Sequence, residues 1–91
     1  MIRRQPKGRD VKVTFALPTD SSPDRVSVVG DFNSWTPGAH TLVKRTNGTR
    51  SVSVTVPQGA VYRFRYLAEG GQWFDDPDAD ALTHEGGLLH A

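Results

Sequence analysis

The chain has 91 residues, 36% of them hydrophobic, with no Cys and a formal net charge of +1. That length supports one domain with a modest core, burying about 60–65% of the unfolded surface. Absence of Cys excludes disulfides, thiolate metal sites and a Cys nucleophile. The near-zero charge gives no overall field for nucleic acid, and no apolar run approaches the ~20 residues of a membrane span.

Arg3, Arg4, Lys7, Arg9 and Lys12 crowd the start of the chain. No apolar stretch follows them, so they form no signal peptide, and the expected location is the cytoplasm. Residues 1–9 show no periodicity and read as a flexible, solvated basic arm, with the domain proper over 10–91. Val11, Val13, Phe15 and Leu17 alternate with Lys12, Thr14 and Ala16, a half-buried strand stopped by Pro18. Thr19 to Pro23 is a turn cluster. Arg25 to Val29 is a second strand, ended by Gly30, with Phe32 expected in the core and Asn33 and Ser34 as turn formers.

Thr41 to Lys44 is a short strand. Asn47-Gly48 predicts a type I′ hairpin, and Asn47-Gly48-Thr49 is a sequon that matters only in a secreted chain. Val52, Val54 and Val56 form another one-sided strand, and Pro57-Gln58-Gly59 turns the chain. Val61 to Ala68 is the longest strand. Tyr62, Phe64, Tyr66 and Ala68 share the core side, so Arg63, Arg65 and Leu67 point outward. Glu69-Gly70-Gly71 turns into the short strand Gln72 to Phe74. Asp75 to Glu85 reads as a solvated polar loop, and Gly87 to Ala91 as a last edge strand. With no amphipathic helical stretch, about seven short strands predict an all-β antiparallel sandwich.

Both Trp residues of the chain, Trp35 and Trp73, follow turn chemistry. One reading has them plug an end of the sandwich. The other has them meet a ligand, because a flat apolar ring with a polar rim suits the face of a sugar. Asp76-Pro77-Asp78-Ala79-Asp80 opens like a calcium loop but lacks the Gly and Glu such a loop needs, having Ala81 and Gly87 there. His40, His84 and His90 show no zinc-like pairing. No nucleophile or phosphate-loop motif is present, so neither an enzyme nor a cofactor is expected.

Val28-Val29-Gly30-Asp31-Phe32-Asn33-Ser34-Trp35, then Tyr62-Arg63-Phe64-Arg65-Tyr66, then Glu69-Gly70-Gly71-Gln72-Trp73 and Asp76-Pro77 follow one another in order. Together they resemble the glycogen- and starch-binding modules of carbohydrate-binding module family 48. These occur at the amino termini of isoamylases and branching enzymes and in the β subunits of AMP-activated protein kinase. The resemblance covers roughly residues 10–90. It implies an immunoglobulin-like early-set sandwich that binds α-1,4-glucan without catalysis. Trp35 and Trp73 would be the stacking platforms, and Arg65, with Asn33 and His90, would bond sugar hydroxyls.

Two departures stand out. The turn before Trp73 has one residue more than the family pattern, and His90, three residues after a Gly87 that is flanked by Gly86 and Leu88, stands where the family has Asn. The implied partners are glycogen or an α-glucan oligosaccharide, with a glycogen-metabolising enzyme in trans, and neither nucleic acid nor membrane. The alternative function is a protein-interaction sandwich whose degenerate sugar site leaves it docking on such an enzyme or on a kinase.

Overall fold

The structure, a computed structural model, describes residues 1–19 and 25–91. The turn cluster expected over Thr19 to Pro23 lies, beyond Thr19, outside the described residues. Among the described residues, nine strands build two antiparallel sheets. The first contains β1 (Ile2–Lys7), β2 (Asp10–Pro18), β5 (Thr49–Pro57) and β4 (Val43–Lys44), in that spatial order. The second runs β3 (Val26–Gly30), β6 (Val61–Ala68), β9 (Gly86–His90) and β8 (Ala81–Thr83). In this sheet β7 (Gln72–Phe74) also pairs with β6, beyond the stretch that β9 covers. The sheets face each other as an immunoglobulin-like sandwich.

The alternation within the strands dictates this packing. Val11, Val13 and Phe15 from β2 and Val54 and Val56 from β5 meet Val26, Val28, Phe64, Tyr66, Ala68 and Leu89 of the second sheet. Burial of these side chains from both inner faces drives folding. Phe64 lies opposite Gly30 on β3 and Gly87 on β9. A Cβ on Gly30 would sit 2.5 Å from the Arg63 carbonyl oxygen and 2.9 Å from the Phe64 Cβ. The glycine that ends β3 is therefore a packing requirement as much as a strand stop.

Four expectations need correction. Residues 1–9 are an edge strand and its turn, not a flexible arm, so the sandwich begins before residue 10. A strand with Ile2 alone packed on the core shows no alternation, and its cations and Pro6 are the residues that guard an exposed edge. Gly86 to His90 is an interior strand, because Ala81–Thr83, within the expected polar loop, pairs along its far side. The same loop holds Asp76, which is 1% exposed and accepts hydrogen bonds from the Tyr66 hydroxyl at 2.6 Å and the Asp78 N–H at 2.8 Å.

The fourth correction concerns the Asn47-Gly48 turn. Only Gly48 takes positive φ, at 80°, while the Asn47 carboxamide oxygen accepts from the Thr49 N–H and hydroxyl. Arg45 N–H donates to the Thr49 carbonyl, closing a three-residue loop rather than a type I′ turn.

Arg4 explains much of the order in β1. It reaches across the sandwich edge, pairing with the Asp80 carboxylate and donating from Nε to the His90 carbonyl at 2.9 Å. Asp80 also accepts the His90 N–H at 2.7 Å. Burial works to raise the Asp80 pKa, but the His90 N–H and the Arg4 guanidinium outweigh it and hold it below the usual carboxylate value. This stabilisation is complete above about pH 4 and lost as pH falls through the lowered pKa. Asp80→Asn is therefore expected to lower the urea midpoint at pH 7 and to converge with wild type as pH falls through the lowered Asp80 pKa. A difference that persists undiminished in acid would contradict the clamp.

Candidate functional site

The outward face of the second sheet is built on β6. Arg63, Arg65 and Leu67 alternate outward, and residues directly opposite one another in an antiparallel pair share a face. The register sets Trp73 and Ser27 beside Leu67, Val29 beside Arg65, Leu88 beside Arg63 and His90 beside Val61. At about 3.3 Å per residue, the Trp73 row lies about 7 Å from the Arg65 row and about 20 Å from the His90 row.

Trp73 is 47% exposed, and its indole N–H has no partner among the described residues. The Glu69-Gly70-Gly71 turn that delivers it uses both glycines at positive φ, 96° and 87°, closed by Gly71 N–H to the Ala68 carbonyl. The extra residue is thus absorbed as a three-residue loop.

Trp35 arrives differently. After Gly30 the chain makes a 3-10 turn, Asp31–Asn33, and then holds Ser34 and Trp35 in succession at φ 55° and 56°. Non-glycine residues rarely occupy that region. Trp35 N–H donates to the Gly30 carbonyl at 2.9 Å, and its indole N–H donates to Asp31 at 2.7 Å. The other Asp31 oxygen accepts the Arg63 backbone N–H at 2.9 Å. Trp35 is thereby tied to β6 at the Arg63 row, about 13 Å along the strand from the Trp73 row, with Arg65 between.

Arg65 is half-buried. Its Nε donates to Asp75 at 3.1 Å, and Nη2 lies 3.4 Å from the His84 carbonyl, which orients the guanidinium and leaves further N–H groups to donate. Arg63 shares the face and pairs with Glu85. Asn33 is committed to its own loop. Its amide nitrogen donates to the Val28 carbonyl and to His40 Nδ1, both at 3.0 Å, and its oxygen accepts the Gly30 N–H. No amide N–H is left for a ligand, so Asn33 braces the turn that carries Trp35. This orientation also puts the proton of neutral His40 on Nε2. His90 keeps an exposed side chain on the face, at the row farthest from Trp73, while its backbone serves the Arg4 clamp.

His84 and Glu85, at the tip of the β8–β9 hairpin, reach Arg65 and Arg63 on this face and are candidate residues that the sequence alone does not indicate. With Arg63, Thr83 and Leu88 they line a shallow pocket of about 360 Å3. A three-residue β8 is too short to show alternation, so the only local signal was Gly86, whose φ of 123° closes the hairpin. A larger cleft of about 520 Å3 lies elsewhere, between the first sheet and the Phe74–Asp78 segment, and contains none of the expected site residues. Flat aromatic platforms need no cavity, so the cleft volume does not displace the β6 face. Among the described residues no group of three or more His, Asp or Glu is placed to hold a metal, and no helix is long and apolar enough to cross a membrane.

An antiparallel sandwich with aromatic and hydrogen-bonding groups along the outward face of one sheet has the form of a non-catalytic carbohydrate-binding module. The model of carbohydrate-binding module 48 (isoamylase N-terminal domain) matches residues 6–81, and the chain belongs to that family. It is 43% identical over 63 residues to a 1,4-alpha-glucan branching enzyme GlgB of Salinibacter ruber, a match covering 68% of this chain and 10% of the enzyme. It is 44% identical over 64 residues to the GlgB of Leifsonia xyli subsp. xyli, covering 66% of this chain and 8% of the enzyme. The chain thus spans about a tenth or less of the curated relatives it matches.

Proposed function

We propose that the module binds α-1,4-linked glucan, of the glycogen or starch type, along the outward face of β6. Trp35 and Trp73 stack on glucose rings, Arg65 donates to hydroxyls between them, and His90 meets the far end of a longer chain. The observation that supports this reading is that both tryptophans are tied to one strand, Trp35 through Asp31 and Trp73 through its backbone pairing, with an oriented guanidinium between them. The names of the curated relatives, both α-glucan branching enzymes, point to the same polymer. An open face of this kind implies affinity between millimolar and micromolar, roughly −4 to −8 kcal/mol. The chain's working location, in this reading, is the cytoplasm, where glycogen-metabolising enzymes act.

The expected result is retention of the chain by amylose or glycogen and passage through cellulose, whose straight β-linked chain presents its ring faces differently. Equal mobility in native gels with and without glycogen would remove the proposal. The protein-interaction reading is favoured by one observation, the largely apolar 520 Å3 cleft away from the tryptophans. It predicts association with a glycogen-metabolising enzyme that survives loss of both indoles.

A further inference from the structure

We infer that Asp31 is the positioning residue of the Trp35 platform, and that Trp35 meets glucan through its ring face alone. This rests on the glucan reading given above. Rotation of an indole about its outer side-chain torsion is loosely restrained in general. Here the indole N–H is held at 2.7 Å by one Asp31 oxygen, while the other is anchored at 2.9 Å to the Arg63 backbone N–H. The ring is therefore referenced to the central strand of the site and not only to its own loop. The N–H is also spent, so a sugar hydroxyl cannot claim it without breaking a charge-assisted hydrogen bond.

Two further features support a preset ring. Ser34 and Trp35 persist in the left-handed region, at φ 55° and 56°, a conformation that side-chain-bearing residues keep only when their surroundings enforce it. Trp35 N–H to the Gly30 carbonyl and the Asn33 bonds to Val28, Gly30 and His40 do the enforcing. Trp73, by contrast, has no partner for its N–H among the described residues and projects from a glycine-rich turn. The site thus pairs one fixed platform with one adjustable one. Fixing a side chain before binding removes an ordering cost of about 0.5–1.5 kcal/mol, or about two- to tenfold in affinity.

The test is a double-mutant cycle read by titration of maltoheptaose. Asp31→Ala is expected to weaken binding about two- to tenfold when Trp35 is present. In a Trp35→Phe background it should have no further effect, because a phenyl ring has no N–H to hold. In a Trp73→Phe protein, where Trp35 is the only indole, Asp31→Ala should move the indole N–H proton resonance upfield and speed its exchange with solvent. If Asp31→Ala does not fold, Asp31→Asn, of the same shape with one acceptor oxygen, runs the same cycle with a smaller loss. An equal loss in both Trp35 and Phe backgrounds, or an unmoved resonance, overturns the inference. If Trp35→Ala leaves maltoheptaose binding intact, the glucan reading has failed instead, and the ligand-free resonance still decides whether Asp31 holds the ring.

Discussion

Phe64→Ala is expected to destabilise the domain by about 3–5 kcal/mol, most of what a chain of this size has in hand. Phe64 is fully buried, with ring centroids 5.1 Å from Phe15 and 5.9 Å from Tyr66. The cost of such a truncation depends on how well the surroundings collapse into the space left. Here they collapse poorly, because the residues beside Phe64 on both neighbouring strands are Gly30 and Gly87. Neither has a side chain to move inward. Urea denaturation should place the variant near or past its midpoint without denaturant. Arg65→Ala, one residue along, removes a half-exposed ion pair with Asp75 and should cost no more than about 1 kcal/mol. The reverse order would mean that β6 presents its other face to the core.

Tyr66→Phe is the second large effect. The substitution deletes one oxygen and opens no cavity, yet leaves Asp76, 1% exposed, without the hydroxyl that donates to it at 2.6 Å. Hydrogen bonds to charged groups contribute about 1.5–3 kcal/mol, and a loss of that size is expected. Burial, reinforced by hydrogen bonding to Asp76 and its charge, raises the Tyr66 pKa far above the ordinary phenol value. The hydroxyl is the favoured form in the fold, so wild-type stability should fall as pH rises past about 10, where the unfolded chain begins to ionise. Tyr66→Phe should lack Tyr66's share of that alkaline loss. Chemical denaturation at pH 7 and pH 11 checks both statements, and equal alkaline slopes would contradict the second.

The contrast between these two residues shows what a sequence pattern carries. Phe64 and Arg65 were assignable because alternation along eight residues leaves one consistent choice of face. β2 and β5 were legible for the same reason. β1 was not, since an edge strand that packs by Ile2 and is clamped by Arg4 has no period to read. Asp76 looked like one more carboxylate in an acidic turn. Its burial follows from the need of Tyr66 for an acceptor, a contact ten residues away that no local rule announces.

At the site, an exposed Trp73 past a glycine turn was legible. The roles of Asp31 and Asn33 were not. Both act through backbone groups of β3 and β6, and such groups leave no trace in residue identity. His84 and Glu85 reach β6 only because β8 and β9 fold back over it.

Calorimetric titration of maltoheptaose into wild type, Trp35→Ala and Trp73→Ala tests most directly whether the two indoles beside β6 bind α-glucan. The account predicts saturable binding by wild type and a loss of at least about tenfold in each variant, as for a hot-spot aromatic, with thermal unfolding nearly unchanged for Trp73→Ala. Binding that is absent in wild type, or present and indifferent to both substitutions, would contradict it.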